Sequence, residues 1–115
     1  GEQMERARQM SERAIKLESN NATYLDTYAW ILYYMGELEE ARTYMRQALS
    51  LDRTGSAELP LHYGDILFAL GERFMAETYW RKALEQGADA KRIEQRITIP
   101  KDTPKGTRIE DIIKE

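Results

Sequence analysis

Apolar residues return along most of this chain with the period of a helix. They gather around three pairs of alanines: Ala7 and Ala14, Ala41 and Ala48, and Ala76 and Ala83. Met4, Met10, Ile15 and Leu17 accompany the first pair, Leu38, Met45, Leu49 and Leu51 the second, and Phe74, Trp80 and Leu84 the third. Each set forms one face of an amphipathic helix. Within a pair the spacing is seven, and the pairs recur at steps of 34 and then 35 residues. Ahead of the second and third pairs lies another helical pattern closed by glycine: Leu25, Tyr28, Ala29 and Leu32 before Gly36, and Leu59, Tyr63, Gly64 and Leu67 before Gly71. Glycine there tolerates the left-handed turn that reverses a chain between antiparallel helices. The predicted unit is therefore a helical hairpin. A half repeat covers 2–18, and full hairpins cover 22–52 and 57–86.

Beyond Gly87, the residues Ala90, Ile93, Glu94 and Ile97 predict a capping helix over 88–97, which completes a repeat domain of residues 1–97. Stacked repeats need such an end element with one polar face. Residues 98–115 read as a loop and tail, with Pro100, Pro104 and Gly106 breaking regular structure. Thr107 and Glu110 have capping-box spacing, and Ile109, Ile112 and Ile113 share a helical side. A frayed terminus and a docked amphipathic peptide both fit that pattern, the frayed end being the simpler expectation.

The repeat resembles the tetratricopeptide repeat family. Its pattern of a large residue, an apolar-small pair, a further apolar residue, then an alanine and an apolar residue four positions on is matched by Leu25, Tyr28-Ala29, Leu32, Ala41 and Met45. Pro60, Tyr63-Gly64, Leu67, Ala76 and Trp80 match it again. Two departures stand out. The tryptophan that usually begins the motif is Leu25 and Pro60 here, and the proline that usually ends a repeat is Ser19 and Arg53. The resemblance spans roughly residues 2–87 and implies an all-α, right-handed superhelical solenoid of antiparallel hairpins that acts as a protein-interaction scaffold. The string Leu25-Asp26-Thr27-Tyr28-Ala29-Trp30 is similar to a variant common in bacterial tetratricopeptide repeat proteins, which implies a bacterial source and leaves cytoplasm and periplasm equally open.

Composition removes other function classes. Charged residues are 32% of the chain and hydrophobic residues 42%, ordinary values for a folded helical protein. The net charge of -3 comes from interspersed acids and bases, so no basic stripe is laid out for nucleic acid. No apolar run approaches the ~18 residues a membrane span needs. The single histidine, His62, and the absence of cysteine leave no nucleophile-base pair and no metal-ligand set, and no glycine-rich phosphate loop occurs. Glu37, Glu39 and Glu40 follow Gly36 at a helix start, where negative charge suits the positive helix end. Neither an enzyme activity nor a cofactor or metal is expected.

In the family, the first helix of each hairpin lines the concave side. With Tyr28, Ala29 and Leu32 on the buried stripe, the expected groove positions are Asp26, Trp30 and Tyr33, matched in the next hairpin by Leu61, Asp65 and Phe68 with His62 alongside. Aromatics beside carboxylates without lysine or arginine suit a partner peptide or helix that is apolar and basic. A groove that clamps a terminal carboxylate would need cations and amides where Asp26, Trp30 and Asp65 stand. Trp30 also fits a second role, filling a core gap left by the missing motif tryptophan. The alternative function is self-association: residues 2–18 expose Met4, Met10 and Ile15 and would form a weak homodimer through that open end.

Overall fold

The computed structural model describes residues 1–115 and is all-helical. Six helices, α1 Glu2–Leu17, α2 Ala22–Tyr34, α3 Leu38–Leu51, α4 Glu58–Ala69, α5 Arg73–Glu85 and α6 Ala90–Ile97, are followed by a 3-10 turn at Ile109–Asp111. They fall into two compact units, Gly1–Thr54 and Gly55–Glu115.

In the first unit α2 and α3 form a hairpin, with α1 packed on α2. Asn21 caps α2, its side chain accepting from the Tyr24 amide at 3.0 Å. The turn between α2 and α3 depends on Gly36, which sits at φ 82, while the Glu37 amide reaches back to the Leu32 carbonyl at 2.9 Å. Gly71, at φ 86, makes the same turn between α4 and α5, with Glu72 bonded to Leu67. Two of the three alanine pairs are buried as their spacing predicts, whereas Ala7 and Ala14 on α1 are only half-buried. Ala41 and Ala48 on α3, and Ala76 and Ala83 on α5, are fully buried and let the helices approach closely.

The two hairpins solve one packing problem with different residues. Tyr28 meets Tyr44 edge-on at 4.8 Å, and 35 residues later Tyr63 meets Tyr79 edge-on at 4.6 Å. Between α4 and α5, Gly64 meets Trp80; the equivalent positions of the first hairpin, 35 residues earlier, are Ala29 and Met45, both fully buried. The larger tryptophan needs the smaller partner, since a Cβ at position 64 would lie 2.5 Å from the Trp80 Cδ1. Pro60 is accommodated in the first turn of α4, where a missing N–H leaves no helix bond broken.

The second unit ends in a segment that the simpler sequence expectation left frayed. After α6 the chain passes Arg73, whose Nη2 donates to the Ile97 carbonyl at 2.8 Å, and buries Ile99. The Gly106 amide then donates to the Ala69 carbonyl at the end of α4 at 2.7 Å, and Ile109 is buried. The cap of the 3-10 turn is one residue later than the Thr107 and Glu110 spacing suggests: the Arg108 amide donates to the Asp111 carboxylate at 3.0 Å. Ile112 does not share the buried side with Ile109 but is exposed.

Candidate protein-interaction site

The first helices of the hairpins, α2 and α4, carry the seven residues expected to meet a partner, and the two helices present very different faces. On α2, Asp26 and Trp30 are half-buried, and Tyr33 is fully buried. Trp30 stacks on Tyr33 with ring centroids 4.5 Å apart, so Tyr33 is the floor of this cluster rather than its surface. The exposed ring is Tyr34, which meets Trp30 edge-on at 5.5 Å. Asp26, Trp30 and Tyr34 are four residues apart and therefore run in a line along the helix. Tyr34 is the residue that register reasoning missed. Tyr33 and Tyr34 are adjacent aromatics, and a rotation of one position exchanges them.

On α4 the expected surface is core. Leu61 is fully buried, Phe68 lies against Trp80 with ring centroids 5.8 Å apart, and Asp65 is 1% exposed. His62 remains half-buried, with its Nε2 3.3 Å from the Glu58 carboxylate. Leu61, Asp65 and Phe68 thus have no face to offer while the second unit is closed.

For Asp65 the reason is a cation that register along α4 could not foresee. Arg96, on α6, is as buried as Asp65 and grips it with two bonds, Nε to Oδ1 at 2.8 Å and Nη2 to Oδ2 at 3.0 Å. The Trp80 indole N–H gives Asp65 a third donor at 2.8 Å. Arg96 spends its remaining donors on the Arg92 carbonyl and on both oxygens of Glu115, the latter at 2.8 and 2.9 Å. All five guanidinium N–H groups have partners, which is the geometry a buried ion pair needs. Burial disfavours the Arg96 charge, but the bonds from Glu115 and Asp65 outweigh it and raise its pKa. The sequence did contain one clue. Arg96 follows Ile93 by three, so it shares the buried stripe of α6, whereas Glu94, expected on that stripe, is exposed.

Glu115 is held by both arginines of α6, since Arg92 also donates to it at 2.8 Å while bonding Glu58 of α4 at 2.9 Å. Hydrogen bonds from Arg96, only partly offset by burial, and then those from Arg92 bring the Glu115 carboxyl down to about 2. Because the folded value is depressed, the stabilisation is complete above the ordinary glutamate range and disappears as pH falls through about 2. The groups facing Glu115 are Arg92 and Arg96, with Asp65 and Glu58 behind them. Acid titration followed by the Ile109 methyl resonances should therefore show the tail leaving with a midpoint near 2. A midpoint in the ordinary glutamate range would mean that the arginines do not hold this carboxylate.

Helical hairpins with close-packed small residues, and with aromatic and charged side chains on their first helices, define a helical-repeat protein. Residues 22–54 match the tetratricopeptide repeat family. The first hairpin is thus a tetratricopeptide repeat, and such repeats generally mediate protein–protein interaction and are typically non-enzymatic scaffolds. No curated protein matches the chain. No helix is long and apolar enough to cross a membrane.

Proposed function

We propose that this chain is a non-catalytic protein-interaction scaffold that takes a partner segment on the α2 face. The observation that carries the reading is the line of Asp26, Trp30 and Tyr34, a carboxylate followed by two rings that remain partly accessible while the corresponding α4 face is closed. Stacking on Tyr33 holds the Trp30 ring in place, so little side-chain freedom is lost when a partner packs on it. A rigid aromatic beside a carboxylate fits an apolar partner segment carrying lysine or arginine. The test is to select binders from a random peptide library on the full chain and titrate them against variants. Trp30→Ala should weaken binding by about 2 kcal/mol or more, as interface anchors do. Asp26→Lys should weaken it strongly at low salt and less at high salt, because exposed charges are screened over about 10 Å at 0.1 M. Binders that are acidic and indifferent to both substitutions would overturn the reading.

A second reading, self-association through α1, is favoured by one observation. α1 has no buried residue, although Ala7 and Ala14 correspond to alanines that are fully buried in α3 and α5. Met10 is 67% and Leu17 85% exposed, and Met10, Ala14, Thr23 and Tyr24 line a cleft of about 270 Å³ between α1 and α2. Light scattering over a concentration series separates the two readings, since this one requires mass to rise without any partner and to stop rising in Met10→Lys.

A further inference from the structure

The closed α4 face has an occupant, and that occupant is the chain's own residues 106–115. Gly106 is bonded to Ala69 at the C-terminal end of α4, Ile109 is buried next, and Glu115 reaches Arg96 beside Asp65 and shares Arg92 with Glu58 at the N-terminal end. The segment thus runs antiparallel to α4 along its length. Its anchors include one backbone bond, one buried isoleucine and one carboxylate, and Thr107, Arg108, Glu110 and Ile113 are half-buried. Asp111, Ile112 and Lys114 are exposed, Ile112 at 42%. It leaves the body of the unit through a stretch containing Pro100, Pro104 and Gly106 that has no helix of its own.

What lies beneath is built to last without it. Both bonds of Arg96 to Asp65 and its bond to the Arg92 carbonyl are independent of Glu115. The two N–H groups that Glu115 occupied, one on Nη1 and one on Nη2, then point at the vacated place in the parallel arrangement that receives a carboxylate. Arg92 adds a second guanidinium at the same place. The result is a preorganised carboxylate receptor next to an aliphatic site.

We propose that the α4–α6 face is a second peptide-binding surface and that residues 106–115 are its internal ligand. It lies in a different unit from the α2 face and stands on separate contacts. The partner it fits is an acidic peptide that offers a branched aliphatic side chain for the Ile109 site and a carboxylate six residues further on for Arg92 and Arg96. Such a partner binds by displacing the tail. The chemistry is opposite in charge to that of the α2 face, so one chain discriminates two kinds of segment. Tethering gives the tail an effective concentration of order millimolar, which keeps the surface shut against weak competitors.

The probe is a fluorescein-labelled peptide with the sequence of residues 106–115, titrated into the full chain by anisotropy. Wild type should bind it poorly. The full chain carrying Ile109→Asp and Glu115→Arg should bind it at least about tenfold more tightly, because the tethered competitor no longer fits. Adding Arg92→Glu to the chain, or changing the peptide's terminal Glu to Gln, should remove the gain. Circular dichroism establishes that helix content is kept. Should the double variant lose its helices, Glu115→Gln alone decides, since it removes one charge from an exposed residue and should still increase binding. Affinity unchanged from wild type in a folded variant overturns the proposal, as does a gain that ignores Arg92.

Discussion

Replacing Arg96 by methionine is expected to destabilise the second unit by about 3–5 kcal/mol, the usual consequence of leaving one member of a buried ion pair without its counter-charge. Asp65 is 1% exposed and has no water to turn to. Its only remaining donor would be the Trp80 indole. The size of the loss does not mean that the pair contributes that much net stability, because desolvating two charges offsets most of their attraction. The distinction can be measured. Asp65→Asn removes the stranded charge while its amide oxygen still accepts from Trp80, so Asp65→Asn with Arg96→Met should recover much of what Arg96→Met alone loses. Urea melts of the four proteins form the required cycle. Equal stability of wild type and Arg96→Met would mean that the buried pair does not form.

The second large effect is expected at Gly64, and it changes sign with its neighbour. A Cβ there would approach Trp80 Cδ1 to 2.5 Å, Trp80 Nε1 to 2.6 Å and the Ala76 carbonyl oxygen to 3.1 Å. The indole is tied to Asp65 through that same nitrogen, and the carbonyl belongs to the α5 backbone, so neither can move aside readily. Overpacking of this kind costs about 1–3 kcal/mol. Against it stands the gain of about 1 kcal/mol that alanine brings to a helix interior. With both a locked ring and a backbone atom in the way, the clash should win, and Gly64→Ala should lower the melting midpoint. In a Trp80→Met background the position copies Ala29 and Met45 of the first hairpin, and there Gly64→Ala should be neutral or stabilising. A loss of similar size in both backgrounds would place the contact elsewhere.

These residues also show which parts of the molecule could be read in the sequence. The hairpins were legible because each helix-helix contact is local: the small residues, the aromatic pair and the turn glycine all lie within one repeat. The buried stripe of α2 followed from Tyr28, Ala29 and Leu32 for the same reason. On α4 the stripe was right but the opposite face was not: Phe68 packs on Trp80 of its own hairpin, and Asp65 is paired with Arg96, 31 residues downstream, which Glu115 holds in turn. Periodicity describes the exposure of a helix within its own hairpin. It carries no information on a distant segment that returns. The exchange of Tyr33 for Tyr34 has a smaller cause, one position of helical rotation between neighbouring rings. Arg96 has a local signal in its spacing from Ile93, but a lone arginine on an apolar stripe gains meaning only when its carboxylate is known, and register along α4 places Asp65 on a surface.

The chain contains two tryptophans, and they report on the two faces separately. Trp30 belongs to the α2 cluster, whereas the Trp80 indole N–H donates to Asp65 under the tail. A proton–nitrogen correlation spectrum of the full chain, recorded while an apolar, basic peptide selected on it is titrated in, follows both indole signals at once. The Trp30 indole and the amides of Asp26 and Tyr34 should shift with saturation while the Trp80 indole stays still. A shift of the Trp80 indole with α2 silent would contradict an interaction surface on the first hairpin.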